Sequence, residues 1–116
     1  MEIATNQSGN VTVLSLSGRL DLTAGVALKE TVMKSLENGY GKIHMNLDKV
    51  DFINSSGLGA MVSVMKEIRI RHGRMTLSNL AVYVNEIFEI TQLTHIFEIF
   101  PTQEEAIASF EKVTTA

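Results

Sequence analysis

Cysteine is absent from this sequence of 116 residues, and proline occurs only once. Without cysteine, the chain has neither a disulfide framework nor a thiolate metal site. No apolar run approaches the roughly 18 residues that a membrane-spanning helix needs. The first ten residues, MEIATNQSGN, lack the charged and hydrophobic regions of a signal peptide. These absences predict a cytoplasmic protein without a membrane partner.

Neither acidic nor basic residues dominate the sequence. The formal net charge is −3, and residues of the two signs are interspersed. No basic stripe offers the phosphate-neutralising charge that nucleic-acid binding needs, so no direct nucleic-acid partner is predicted. The densest basic segment, Lys66–Arg74, is interpreted as a solvated helix end with cations near the negative pole. The composition is that of an ordinary soluble protein with one domain, residues 1–116.

Apolar side chains at every second position predict the first strands. Val11–Ser17 alternates large apolar with small polar residues, and Glu2–Asn6 is its predicted partner in a hairpin that turns at residues 7–10. Gly18 is predicted to end the second strand of this hairpin. Residues 43–47 alternate in the same way and predict the next strand along the chain.

Helices are predicted where apolar residues recur at spacings of three and four. Thr23 is the predicted N-cap of a first helix, Ala24–Leu36. The second helix follows a pair of serines, and its apolar stripe consists of Leu58, Met61, Val62, Met65 and Ile68. Val64 and Ile70 fall outside that stripe, so they are predicted to be either a contact patch or scattered surface residues.

The complete predicted order is β-β-α-β-α-β-α-β-α, and the last helix begins after the cap Thr102. Strands that alternate with helices favour an α/β fold with mostly parallel pairing, and the opening hairpin makes the sheet mixed. The sequence therefore predicts a single-domain α/β fold with about five strands and about four helices. Residues 114–116 are predicted to fray.

Known catalytic patterns are missing from the sequence. Gly57-x-Gly59 lacks the third glycine of a dinucleotide fingerprint, no GxxxxGK[ST] phosphate loop occurs, and no serine stands in a GxSxG elbow. His44, on the polar side of its strand, His72 and His95 are each predicted to be surface residues. We therefore predict no catalytic residue, no metal ligand and no cofactor.

The stretch DFINSSGLGA, residues 51–60, allows two interpretations. Asn54, Ser55 and Ser56 precede an apolar-periodic helix, and residues of these types are favoured helix caps. The carboxyl ends of strands are also where function tends to lie in α/β sheets. A serine there faces unpaired backbone N–H groups, which favour a phosphate. Capping and signalling both stay open on the residues alone.

The longer segment DFINSSGLGAMVSVMKEI resembles the signature of the STAS domain, specifically that of bacterial anti-sigma factor antagonists. Their motif places D-S-[ST]-G-L-G at the start of the second helix. LSLSGRLDLTAG is similar to the family's strand that ends in G-[ED]-L-D, and KIHMNLDKVDFIN is similar to its central strand. The resemblance covers nearly the whole chain and implies a STAS-like fold.

The resemblance also implies a partner switch in which the protein itself is not an enzyme. Unphosphorylated family members bind a serine kinase that doubles as an anti-sigma factor, and they displace its target. The kinase then phosphorylates a serine of the antagonist, which breaks the complex, and a PPM-type serine phosphatase restores it. The acceptor position of the motif falls on Ser55, with Ser56 as the alternative.

Partner binding is implied for the residues around the acceptor, namely Asp21, Asn54, Ser56, Gly57 and Leu58. The alternative interpretation of Asp21 is a turn residue before a helix, and that of Leu58 is a core residue. Two positions depart from the family pattern. Asn54 replaces the usual aspartate, so it keeps the capacity to cap but not the charge, and Arg19 replaces an acidic residue.

Two further functions stay open besides the partner switch. One is a STAS scaffold or nucleotide-sensing subunit that is never phosphorylated. The other is a small hydrolase with Ser55 as nucleophile, for which the sequence offers neither a base nor an acid.

Overall fold

Five strands and four α-helices alternate along residues 1–111, the part of the chain that the computed structural model describes. The strands are β1 (Glu2–Ser8), β2 (Val11–Leu20), β3 (Lys42–Ile53), β4 (Arg74–Ser78) and β5 (Glu98–Phe100). The helices are α1 (Leu22–Glu37), α2 (Ser55–Ile70), α3 (Val82–Ile90) and α4 (Gln103–Glu111), with a short 3₁₀ helix at Leu93–His95. The predicted fraying of residues 114–116 lies outside the described residues.

The strands form one sheet in the order β1-β2-β3-β4-β5. β1 pairs antiparallel with β2, and the other neighbours pair in parallel, so the predicted α/β fold with a mixed, mostly parallel sheet is confirmed. Because β2, β3 and β4 run in the same direction, their carboxyl ends meet at one edge of the sheet. α1 and α2 begin at this carboxyl edge.

Helices cover the two faces of the sheet unequally. α1, α2 and α3 pack on one face, where they share the main core with side chains from β2, β3 and β4, including Leu28, Met61, Phe88 and Leu77. On the other face α4 contributes Phe110 to a small cluster with Val11 and Val13 of β2. Within the described residues only α4 covers that face, so part of it stays open beside β1 and β2.

The end of β2 and the N-terminal caps of α1 and α4 bear on three local predictions. β2 does not end at Gly18, as predicted, but runs on to Leu20, since its pairing with β3 continues to the register pair Leu20 and Ile53. The prediction that Thr23 caps α1 is also wrong, because the Asp21 side chain accepts the hydrogen bond from the Ala24 N–H instead. The predicted cap of α4, Thr102, is confirmed by a 3.2 Å bond from the Glu105 N–H.

The prediction for Val64 is wrong, whereas that for Ile70 is confirmed. Val64 is fully buried and belongs to the main core, and Ile70 is 70% exposed. The reason is that α2 packs against both the sheet and α1, where Gly25 lies so close to Ala60 that an added Cβ would be 2.5 Å from the alanine methyl. A helix with two packed sides buries more residues than a single stripe.

The prediction that His44 lies at the surface is wrong. Its imidazole is fully buried between β3 and β4. The two ring nitrogens lie 2.8 Å from the hydroxyl oxygens of Thr76 and Ser78. The side chain is on the face of the sheet that α4 covers, so alternation along the strand identified the face correctly but not the helix above it.

Burial of His44 predicts a pH-dependent stability. Desolvation lowers the pKa of His44 from 6.5 to about 4, because the imidazolium would lose its hydration. The unfolded chain therefore takes up this proton at a higher pH than the folded chain. Stability is complete above pH 6.5 and falls as the pH decreases towards 4. At pH 4.5 we expect a loss of about 2.5 kcal/mol from this residue.

Urea unfolding at pH 7 and pH 4.5 measures this loss. Carboxylates also titrate in this range, so the matched control is His44→Gln, which keeps a polar side chain but does not titrate. The decrease in unfolding free energy between the two pH values should be about 2.5 kcal/mol smaller in His44→Gln. Equal decreases in the two proteins would show that His44 does not contribute.

Candidate functional site

α2 begins at the carboxyl edge after a single connecting residue, Asn54. Its backbone is extended, and its Oδ1 accepts a 2.9 Å hydrogen bond from the Gly57 N–H. Its carbonyl accepts the first helical bond, from the Leu58 N–H at 2.9 Å. Asn54 is therefore the N-cap of α2, and the two serines are the first two residues of the helix.

Ser55 and Ser56 are both exposed, and neither hydroxyl hydrogen-bonds to another of residues 1–111. The first N–H groups of an α-helix have no partner within the helix, and they form the positive end of its dipole. The Ser55 and Ser56 hydroxyls thus lie beside donors that favour a negative group. Between these two candidates the described contacts make no distinction.

Gly57 fixes how closely the first turn of α2 approaches β2. It is buried, and an added Cβ would overlap the carbonyl oxygen of Leu20 and lie 2.7 Å from its carbonyl carbon. No side chain fits at this position without moving the backbone. Gly59 is different, because an added Cβ there meets no atom within 4 Å. One glycine of the SSGLG motif is thus required by packing, and the other is exposed.

Asp21 and Asn54 occupy equivalent positions on neighbouring strands. Leu20 and Ile53 are register partners, and Asp21 and Asn54 are the residues that come directly after them. Each side chain caps the helix that begins next, Asp21 with a 3.1 Å bond to the Ala24 N–H. The structure therefore brings Asp21 to the same edge as the serines, where the family resemblance places it.

Leu58 contributes mainly to the core. It lies in the first turn of α2, is half-buried and packs against the main core cluster. Exposed apolar side chains are found instead in the first two turns of α1, which begins at the same edge, where Leu22 is 66% and Val26 is 54% exposed. These two residues were not predicted from the sequence, although their spacing of four places them on one side of a helix outside the buried stripe.

The end of β3 is irregular beside the site. Ser15–Leu20 of β2 pairs with Asn46–Ile53 of β3, so β3 has two more residues than β2 over this length, with register shifts at two places. Bulges of this kind increase the local twist and redirect side chains, and they are frequent next to functional sites. They place Arg19 opposite Phe52, with the guanidinium carbon 3.7 Å from the ring centre.

Other kinds of site receive no support from residues 1–111. Residues 1–111 contain no group of three His, Asp or Glu side chains that is arranged to hold a metal ion. His44 bonds to Thr76 and Ser78 and not to the serines of α2, and His72 and His95 are exposed, as predicted. None of the described helices is both long and apolar enough to span a membrane.

The STAS domain family matches residues 2–106, which is most of the chain, and the protein belongs to this family. The fold and the predicted signature agree, since the SSGLG segment opens α2 at the carboxyl edge of the sheet.

Several relatives carry the name of anti-sigma factor antagonist. The anti-sigma-B factor antagonist of Bacillus subtilis is 25% identical over 107 residues, which are 92% of this chain and 97% of the relative. TM1081 of Thermotoga maritima, provisionally assigned as an anti-sigma factor antagonist, is 27% identical, with 92% of each chain covered and a TM-score of 0.86. Phosphorylated SpoIIAA from Bacillus is 24% identical over 94% of this chain and 99% of its own, and its TM-score of 0.72 shows the same fold.

Proposed function

We propose that this protein is an anti-sigma factor antagonist that acts by partner switching in the cytoplasm. Its unphosphorylated form binds a serine kinase that is also an anti-sigma factor, and so releases the target of that kinase. Phosphorylation of Ser55 separates the two proteins, and a PPM-type serine phosphatase reverses the modification. The observation that carries this proposal is the pair of exposed serine hydroxyls at the N-terminus of α2, free of hydrogen bonds to residues 1–111, of which the family motif assigns Ser55 as the acceptor.

A hydroxyl in this position is suited to accept a phosphate. It is accessible to the active site of another protein, and the exposed Gly59 on the next turn adds no side chain that would obstruct the approach. After transfer, the phosphate lies at the positive end of α2, beside N–H groups that have no helical partner. Phosphorylated Ser55 is thus compatible with the folded helix α2, and the added charge acts on the contact with the partner.

The surface around Ser55 supports binding to a protein. Leu22 and Val26, in the first two turns of α1, are exposed apolar residues, and Asp21, the residue before Leu22, caps the same helix at the carboxyl edge that carries the serines. Protein interfaces combine an apolar centre with polar groups at the rim. We propose Asp21, Asn54, Ser56, Gly57 and Leu58 as the partner-binding set from the family motif.

Asn54 keeps one of the two properties of the aspartate that is common in the family. Its amide oxygen caps α2 with a 2.9 Å bond, as a carboxylate oxygen would. It carries no negative charge, so it does not repel a phosphate on the neighbouring Ser55. An uncharged cap is therefore electrostatically more favourable for the phosphorylated helix than an aspartate at the same position.

Phosphorylation mapped by mass spectrometry tests the proposal. The purified protein is incubated with Mg²⁺-ATP and each serine-kinase anti-sigma factor of the source organism. We expect one added phosphate on Ser55 with at least one of these kinases, none in Ser55→Ala, and full modification in Ser56→Ala. Both serines are exposed and they are the first two residues of α2, so Ser56→Ala is a matched control.

The alternatives give different results in the same experiment. A phosphate that persists in Ser55→Ala and disappears in Ser56→Ala moves the acceptor to Ser56. A wild-type protein that no kinase modifies is a STAS scaffold or nucleotide-sensing subunit, and the partner switch is then wrong.

A further inference from the structure

Arg19 and Phe52 form a cationic platform at the carboxyl edge of the sheet. They are register partners on β2 and β3, and the guanidinium lies over the face of the ring at 3.7 Å. A cation is attracted to an aromatic face at this distance, and stacking restricts the rotamers of the long arginine side chain. The guanidinium is therefore oriented before a partner arrives.

The N–H groups of the Arg19 side chain have no acceptor within residues 1–111. Arg19 is exposed, and within residues 1–111 it forms neither an ion pair nor a hydrogen bond. Other arginines differ, since Arg74 forms a 2.7 Å ion pair with Glu98 and Arg69 donates to the Ile96 carbonyl at 2.7 Å. Stacking occupies the face of a guanidinium and leaves its edge, with its N–H donors, open to an acceptor.

The platform is continuous with the segment that carries the serines. Arg19 lies two residues before the cap Asp21, and Phe52 lies two residues before the cap Asn54, on paired strands. Neighbouring strands are about 4.8 Å apart, whereas a specific protein interface covers about 800 Å² of each partner. Arg19 and Phe52 project to the face of the sheet opposite α2, because Leu20 and Ile53 point into the main core, so a partner centred on Ser55 reaches Arg19 around the ends of the strands.

We propose that Arg19, oriented by Phe52, determines partner specificity by pairing with a carboxylate of the partner kinase. This inference rests on the proposed function and adds the chemistry of one contact to it. A guanidinium with a free edge binds a carboxylate through two parallel hydrogen bonds. The contact therefore requires a particular orientation of the partner's acidic side chain as well as its negative charge. The contact selects kinases that present an acidic side chain at this point and disfavours those that present a basic one.

Binding of the unphosphorylated protein to the kinase, measured at low and physiological salt, tests this contact. We expect Arg19→Glu to weaken binding about 30-fold or more, because it places two carboxylates opposite each other. Arg19→Gln should weaken binding about tenfold and make the association rate less sensitive to salt. Phe52→Leu, which removes the ring but keeps an apolar side chain, should cause a smaller loss, since Arg19 keeps its charge but not its orientation.

Arg71→Glu is the control for the change in net charge. Arg71 is exposed and lies just beyond the other end of α2, about 24 Å from the serines along the helix axis. Its binding should stay within twofold of wild type. The thermal midpoint of each variant is measured alongside, because a merely structural Arg19 would lower stability without changing the salt dependence.

The inference and the proposed function fail in distinguishable ways. If the kinase binds and phosphorylates the wild-type protein, but Arg19→Glu binds equally well or Arg71→Glu loses as much affinity, the Arg19 contact is overturned and the partner switch stands. If none of the kinases binds the wild-type protein, the proposed function and the inference both fall.

Discussion

Phosphorylation of Ser55 is expected to weaken binding to the serine-kinase partner at least about a hundredfold. The phosphate adds roughly −1.5 to −2 charge at pH 7 to an exposed residue at the centre of the proposed interface. A hundredfold loss of affinity corresponds to about 2.7 kcal/mol. Transfer of the phosphate from water to a contact with an apolar or acidic surface of the partner costs enough free energy to cause this loss of affinity.

Calorimetric titration of the kinase with the unmodified and the phosphorylated protein measures the effect. Ser55→Asp, which carries a single charge and lacks the phosphate geometry, should lose less affinity than phosphorylated Ser55. Ser8→Asp is a matched control, because Ser8 is an exposed serine that ends β1 beside the start of β2, away from the carboxyl edge. Equal affinities of the phosphorylated and unmodified proteins would contradict the switch.

The phosphorylated protein should keep its fold. The Ser55 side chain forms no hydrogen bond with residues 1–111, so modification breaks no internal contact that stabilises α2. Amide exchange of the two forms should differ only around the first turn of α2. A general loss of protection would show instead that the signal operates through unfolding.

Replacement of Gly57 by alanine is expected to lower the free energy of unfolding by about 3 kcal/mol or more. The new methyl group would overlap the Leu20 carbonyl oxygen, which belongs to the backbone of β2 and is held by the sheet. Relief requires the first turn of α2 to move away from β2, which also displaces the two serines. Partner binding and phosphorylation should therefore decrease together with stability.

Gly59→Ala provides the control within the same motif and the same helix. An added Cβ at Gly59 meets no atom within 4 Å, and alanine favours the helical backbone over glycine by about 1 kcal/mol. This variant should be as stable as wild type or slightly more stable in urea unfolding. If the two alanine variants were equally stable, the close approach at Gly57 would not be a constraint.

Most of the architecture could be predicted from the sequence because it depends on local periodicity. Alternation with a period of two and helical spacing indicated the order of strands and helices, and the order implied parallel pairing. The length of β2 could not be predicted in this way. Gly18 resembles a stop signal, yet the strand continues because β3 lies beside it, and that neighbour is distant in the sequence.

The burial of His44 shows a second limit of sequence reasoning. Alternation places its side chain opposite Ile43 and Met45, but the helix that covers this face, α4, begins almost 60 residues later. Val64 is a similar case, because its burial depends on how α1 packs against α2. Non-local packing decides both positions.

The candidate site could be predicted in part. The sequence placed Asn54 and the serines at a helix start, and the hydrogen bond to Gly57 now assigns the cap to Asn54. Asp21 and Thr23 both have side chains that cap helices, so local chemistry could not choose between them. The stack of Arg19 on Phe52 depends on two extra residues in β3, and no pattern in either strand indicates that shift.

A single residue, Asn54, separates β3 from α2, and a single residue, Asp21, separates β2 from α1. Neither connection has the length that an adjustable loop requires, and each residue added at the start of a helix rotates the rest of that helix by about 100°. An insertion between Ile53 and Ser55 would therefore turn the serines away from their present direction or force the helix off the sheet. The spacing of the motif is thus as constrained as its residues, and insertions should be tolerated elsewhere before they are tolerated here.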